Sequence, residues 1–346
     1  MPAGSAAAVS RGTGMADEVI EAVALGKVYP DGTAALHSVG LTVTAGEIFG
    51  CLGRNGAGKS TMIRILTTLT AATSGQARVC GYDVAREVAA VRAVIGASLQ
   101  QVALDDLMTS REHLDFVARL AGLRRAAARQ RVDELLDLFG LDHGKLVATY
   151  SGGMRRRLDI ALSLIRRPRV LFLDEPTTGL DPQSRRALWD WIRRFAAEGS
   201  TVLLTSQYLE EIDELADRVG VLDRGEMSVV DTPEGLKRTS GGRVLRVRVP
   251  DETARAAVRE GLGTAAVPEG RDLLRLDLGG GAGLLPALAR LRELGVPDTA
   301  ITVSAPTLED VFVRLTGEHL VGESADAAAA GVAAIQRSIA TPGRGR

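Results

Sequence analysis

Gly53-Arg54-Asn55-Gly56-Ala57-Gly58-Lys59-Ser60-Thr61 satisfies the pattern G-x-x-x-x-G-K-[ST] at each fixed position. Ile48 to Leu52 before it reads as a short buried strand, and Met62 to Leu69 after it as an amphipathic helix. Strand, loop and helix in that order are the setting the pattern requires. Its glycines let the backbone curl so that successive N–H groups aim inward, and the helix start adds its positive end, which makes a cradle for a polyphosphate. In such a cradle Lys59 sits on the β and γ phosphates and the Ser60 hydroxyl ligates Mg²⁺.

The 346 residues, 45% of them hydrophobic, suffice for one large and one small domain. Basic and acidic residues nearly cancel, 42 against 43, so no global field draws the chain to nucleic acid or to an anionic membrane surface. No apolar run of about 18 residues and no basic, apolar leader is visible, which predicts a cytosolic protein. Cys51 and Cys80 fall on predicted strands without C-x-x-C spacing and read as reduced core thiols. His37, His113, His143 and His319 are too scattered for a metal site.

Residues 1–17 are small and aperiodic, a disordered leader in which Met15 is an alternative start. Glu18 to Leu25 and Leu36 to Thr44 alternate as antiparallel strands around Pro30-Asp31-Gly32. Gln76 to Gly81 and Ile95 to Leu99 read as further strands, the second running into Gln100-Gln101. From Ser110 to about Gly140 the period turns helical, broken at Gly122, and another helix follows Ser151-Gly152-Gly153 as far as Arg167. Val170 to Leu173 is an uninterrupted apolar run ending in Asp174-Glu175, as a central parallel strand does with acids at its carboxyl edge. A helix from Arg185 to Ala197, a strand from Thr201 to Thr205, a helix from Tyr208 to Ala216 and a strand pair around Asp223-Arg224-Gly225 complete this core. After a linker at Thr239-Ser240-Gly241-Gly242, alternating strands and helices from Val244 to Leu315 predict a small α+β domain. Residues 322–346 are Ala-rich and read as a disordered tail.

A phosphate loop alone says only NTPase, and its companions narrow the class. Asp174, at the end of the apolar strand, supplies a carboxylate for Mg²⁺, and Glu175 beside it is placed to polarise the attacking water. Ser151-Gly152-Gly153 at a helix start makes an anion site from a hydroxyl and two unhindered N–H groups. With these residues the chain resembles the nucleotide-binding subunits of ABC transporters. Tyr150-Ser151-Gly152-Gly153-Met154 is similar to that family's signature motif, although only its Ser-Gly-Gly centre matches strictly. The resemblance implies an α/β fold: a P-loop NTPase core of the ABC type over 18–238, with an antiparallel β subdomain and a helical subdomain at about 102–166. The small α+β domain at 243–317 follows it. It implies ATP and Mg²⁺ as cofactors, a homodimer formed on ATP binding, and a separate transmembrane permease subunit that holds the chain at the cytoplasmic face of the cell membrane.

The same resemblance assigns roles residue by residue. Gln100 is the Mg²⁺-sensing glutamine, with Gln101 taking that part if the register slips by one. Asp181, in Gly179-Leu180-Asp181, signals between subunits, and Tyr29 stacks on the adenine, the alternative for Tyr29 being a turn aromatic packed on the sheet. Where the family usually carries a γ-phosphate-contacting His, this chain has Gln207, which can donate a hydrogen bond but cannot carry charge or pass a proton. Hydrolysis is therefore expected to be slow but genuine, with Glu175 as the main base. A Gln there, Ile63-Arg64-Ile65-Leu66-Thr67-Thr68-Leu69 and Leu308-Glu309-Asp310-Val311-Phe312 resemble the daunorubicin-resistance branch of ABC exporters, which implies export of a hydrophobic, antibiotic-like compound. Arg155, Arg156 and Arg157 read as the solvated face of the signature helix. The rival readings are a soluble ABC ATPase without a permease and an ATP sensor with negligible turnover.

Overall fold

The computed structural model describes residues 18–100, 103–142, 144–239, 242–263, 266–269, 272–278 and 283–316. The leader, the tail, Gln101, His143, His319 and Ser240-Gly241 lie outside the described residues. The described residues fall into two compact units, one drawn from 18–47, Thr61–Leu173 and Gly179–Leu203, the other from Ile48–Ser60, Asp174–Thr178 and 204–316.

In the first unit, β1 (Glu18–Val28) and β2 (Ala34–Thr44) pair antiparallel, and β4 (Ser74–Val79) and β5 (Tyr82–Asp83) extend the sheet in the order β2-β1-β4-β5. Both long strands run past their expected ends, because Tyr29 N–H donates to the Thr33 carbonyl and carries the ladder into the turn. Helix α2 (Val88–Val94), which the sequence reading missed, leads into β6 (Ile95–Ser98), and β6 pairs parallel with β7 (Val170–Asp174). All five residues of β7 are buried. At roughly 1.5–3 kcal/mol for each fully buried apolar side chain, this short strand is a large contributor to the core.

Helices α3 (Ser110–Leu120), α4 (Arg125–Phe139) and α5 (Gly152–Ser163) pack on one another. Thr109 and Glu112 form a complete capping box at the start of α3, and Gly140 closes α4 in the left-handed conformation. Helix α5 stops four residues short of the predicted end, with Leu164 as its cap, and Arg167, next to Pro168, takes a left-handed φ of 51°. Helix α6 (Pro182–Ala197) begins three residues earlier than predicted, with Pro182 at its first position and Asp181 as its cap. Trp191 of α6 contacts Phe139 of α4 at 5.0 Å and stacks on Phe195 at 5.2 Å.

In the second unit, β3 (Ile48–Leu52) pairs parallel with β9 (Arg218–Asp223), and β10 (Glu226–Asp231) returns antiparallel beside β9. Helix α1 (Lys59–Leu66), of which only Lys59 and Ser60 belong to this unit, starts three residues before the expected boundary, so the phosphate-loop lysine stands in its first turn. Strand β8 (Thr201–Ser206) is buried throughout and ends within this unit, followed by α7 (Leu209–Leu215), which packs on β3. Beyond α8 (Pro233–Thr239) the chain runs β11 (Val244–Arg248), α9 (Glu252–Leu262), β12 (Ala266–Pro268), β13 (Leu273–Asp277), α10 (Leu284–Glu293) and β14 (Ile301–Ser304). The sheet order β12-β13-β11-β14 is that of a β-α-β-β-α-β split fold, and Leu245, Val247, Val258, Leu276 and Leu291 fill its core.

Helix α11 (Leu308–Thr316) packs on α7 and α8 and is tied to the small sheet by charge. Asp310, 1% exposed, meets Arg246 at 2.6 Å and Arg275 at 3.4 Å, and it accepts from the Thr307 N–H at 2.7 Å. Removing Asp310 takes one carboxylate from each arginine and leaves Arg246 with Glu269 and Arg275 with Asp277. Asp310→Ala is expected to lower the unfolding free energy by roughly 1–3 kcal/mol, the cost of losing its charge-assisted hydrogen bonds, read as an earlier urea midpoint by circular dichroism. An unmoved midpoint would show that the charge network does not hold α11.

Candidate functional site

The second unit gathers the phosphate loop and both strand-end acids. Gly53 leaves β3 so close to β9 that a β-carbon there would stand 2.4 Å from the Leu222 carbonyl oxygen, which only glycine avoids. Gly56 and Gly58 take left-handed φ of 82° and 108°, and the turn is closed by Ala57 N–H to the Arg54 carbonyl and Gly225 N–H to the Ala57 carbonyl. Arg54, Asn55, Gly56 and Ser60 keep solvent access, whereas Ala57 is buried against the fold. The Lys59 side chain is 4% exposed, and its ammonium donates to the carbonyls of Gly53 at 2.7 Å and Arg54 at 3.1 Å. Glu175 Oε1 lies 3.4 Å from the same nitrogen.

Asp174 and Glu175 are held by a residue that the sequence reading passed over. Thr205 Oγ1 donates to Asp174 Oδ1 at 2.6 Å, and the Glu175 N–H donates to both the hydroxyl and the carbonyl oxygens of Thr205 at 3.1 Å. Glu175 has a left-handed φ of 49°, a conformation that costs a non-glycine residue about 1–3 kcal/mol and that these bonds stabilise. The available signal was a threonine closing the apolar run Val202-Leu203-Leu204, one strand position from Ser206 and two from Gln207. Gln207 is half-buried between Ser206 and Tyr208, and the Tyr208 N–H returns to Ser206 Oγ at 2.9 Å.

These donors suit a magnesium nucleotide. The hydroxyl of Ser60 and the carboxylate of Asp174 are hard oxygen donors of the kind Mg²⁺ takes, and the loop presents N–H groups beside a lysine, as a polyphosphate requires. Cys51 is fully buried, and burial pushes its thiol up to about 12 against the opposing charge of Lys59, so it stays a protonated core group. Among the described residues no cluster of three or more His, Cys, Asp or Glu side chains could hold a metal, and Cys51 and Cys80 are both free.

The first unit holds the remaining predicted residues. Tyr29 is half-buried, its hydroxyl 3.2 Å from Thr61 Oγ1 and its ring 5.1 Å from the Lys27 ammonium, so it faces the helix that follows the loop. Gln100 is exposed just past β6. Ser151 caps α5 by accepting the Met154 N–H at 3.3 Å, and Gly152 is open to solvent. Asp181 accepts the Ser184 hydroxyl at 2.6 Å and its N–H at 2.9 Å, and these bonds hold its carboxyl below the usual carboxylate range. A β-carbon on Gly153 would lie 3.2 Å from Ser184 Oγ, so the first turns of α5 and α6 are neighbours.

The arginine triplet departs from the expected solvated face. Arg156 is buried, Arg155 pairs with Asp106 at 2.7 Å, and Arg157 donates to the Phe139 carbonyl at 3.1 Å. Long guanidinium stems cover apolar surface while their heads find fixed acceptors, which places charge where helical polarity alone predicts solvent.

Residues 36–178 match the ABC transporter domain family. The chain is 44% identical over 309 residues to the daunorubicin resistance ATP-binding protein DrrA3 of Streptomyces coeruleorubidus, covering 88% of this chain and 98% of the relative. It is 43% identical to the daunorubicin/doxorubicin resistance ATP-binding protein DrrA of Streptomyces peucetius, covering 90% and 96%. A solved ATP binding subunit of an ABC transporter superposes with a TM-score of 0.59 at 28% identity, over 64% of this chain and 92% of the other. With a phosphate loop, strand-end acids and a Ser-Gly-Gly helix cap on one chain, and relatives alike along nearly their whole length, the chain belongs to the ABC transporter family as one of its ATP-hydrolysing cassettes.

Proposed function

We propose that this cassette dimerises on ATP, energises a separate membrane permease at the cytoplasmic face of the cell membrane, and exports a hydrophobic, antibiotic-like compound. The observation that carries the proposal is the end-to-end likeness to resistance ATP-binding proteins, which continues through the small C-terminal sheet. No helix among the described residues is long and apolar enough to cross a membrane, which fits a motor whose pore lies on another chain. Residues 243–317, with their own apolar core, are proposed as a distinct domain behind a cassette at 18–238.

In the proposed mechanism Lys59 neutralises the β and γ phosphates while the N–H groups of Gly53 to Thr61 hold them in line. Ser60 and Asp174 would hold Mg²⁺, with Gln100 completing the set, and when bound the ion supplies charge neutralisation to the phosphate oxygens. Glu175 accepts a proton from the attacking water, its carboxylate aimed by the Thr205 bonds to its N–H. Gln207 donates an amide hydrogen bond to the γ phosphate. Tyr29 carries the adenine ring, and Ser151, Gly152 and Gly153 of one copy close over the nucleotide of its partner, with Asp181 relaying between them.

Three outcomes test this reading. Glu175→Gln should lower steady-state ATP turnover by about 10²–10⁴-fold and leave an ATP-bound dimer on gel filtration. A variant that turns over normally removes Glu175 from its role. Gln207→His should raise the rate and introduce a dependence on pH near the ordinary imidazole value of about 6.5. An indifferent substitution argues against the γ-phosphate contact. The full-length chain, tagged and extracted in mild detergent, should co-purify a multi-span membrane protein, and its recovery alone under those conditions would favour a cassette without a permease.

A further inference from the structure

Arg156 stands apart from its two neighbours. It is 6% exposed, and its Nη1 donates to the Leu99 carbonyl at 2.7 Å and to Asp159 Oδ2 at 3.3 Å. Ser98, fully buried as the last residue of β6, donates its hydroxyl to the same Asp159 oxygen. Burial pushes the Asp159 carboxyl upward, while the Ser98 hydroxyl and the Arg156 charge act to keep it ionised. A guanidinium, a carboxylate and a hydroxyl therefore tie α5, the helix of the Ser-Gly-Gly turn, to the strand end and to the carbonyl one residue before Gln100.

Apolar side chains would fill this space at lower desolvation cost, and a buried ion pair is weak support for a purely stabilising role. What the pair does provide is direction, because a charge-assisted bond to one backbone carbonyl fixes the peptide plane between Leu99 and Gln100. We propose that Arg156 and Asp159 are positioning residues for Gln100, locking the start of its loop to the signature helix so that the two move as one body. The proposal rests on the assignment of Gln100 made above. Neither side chain touches nucleotide in this scheme; both act through the Leu99 carbonyl.

A double-mutant cycle on the full-length chain separates this role from a structural one. Arg156→Ala should lower kcat about tenfold or more and shift the Mg²⁺ concentration for half-maximal turnover, while affinity for ATP without metal changes less than about twofold. In a Gln100→Ala background the same substitution should change kcat by less than about twofold, because its target is already gone. Hydrogen exchange across residues 96–100 of the nucleotide-free protein should be faster in Arg156→Ala than in the parent. Asp159→Asn, which keeps the shape and an acceptor oxygen, goes through the same cycle and serves where the alanine variant does not fold. Equal losses of kcat in both backgrounds, or unchanged exchange, would overturn the positioning role and leave Gln100 in place. Unchanged kcat in Gln100→Ala alone would remove the Gln100 assignment and this proposal with it.

Discussion

One hydroxyl orders the chemistry of the second unit. Asp174 and Glu175 are adjacent in sequence at the end of a fully buried strand, where buried polar groups need hydrogen-bond partners. Thr205 gives its proton to Asp174 and accepts the N–H of Glu175, so the two acids leave the strand in different directions. Asp174 is retained in the strand, and Glu175, turned by its left-handed φ, reaches 3.4 Å from Lys59. The lysine in turn is braced by two carbonyls of its own loop, which keeps the cradle curled around a charge that a phosphate can later share.

Much of this was legible because it is local. The phosphate loop is spelled by residues whose roles depend on their immediate neighbours, and the apolar run before Asp174 announces a central strand by composition alone. Thr205 was not legible, since its partners lie 30 and 31 residues away in sequence and nothing near it marks them. Arg156 was misread for the same reason: three arginines in a row on a helix look solvated until the Leu99 carbonyl is brought beside the middle one. The boundary of α6 is a different case, because Asp181-Pro182 is a cap followed by a first-turn proline and was readable, though it was set three residues late. Short β5 and β12 depend on pairing partners and carry no pattern of their own.

The loop around Gln207 is one in which histidine and glutamine can be exchanged without a change of fold. Ser206 Oγ accepts the Tyr208 N–H at 2.9 Å and donates to the Tyr208 carbonyl at 3.3 Å, so residues 206 and 208 bond to each other across 207. The turn is therefore held by groups that do not include the side chain at 207. Exchanging imidazole for amide alters what the position can donate, charge or titrate, and leaves the backbone path to the same bonds.

The C-terminal sheet is built into this arrangement through α11. Leu308, Val311 and Phe312 are buried on the helix, and α11 packs on α7, which itself lies against β3. Helix α7 begins two residues after Gln207 and is thus bounded on one side by the strand that leads into the phosphate loop and on another by α11. Apolar packing alone would let α11 slide along its axis, because methyl groups at neighbouring turns are nearly interchangeable. The pairing of Asp310 with Arg246 and Arg275 favours one register, since a shift by a turn would carry the buried Asp310 carboxylate away from both guanidinium groups, which would keep only Glu269 and Asp277. The position of α7 behind Gln207 therefore depends on a charge lock in the small sheet as well as on apolar contact with β3.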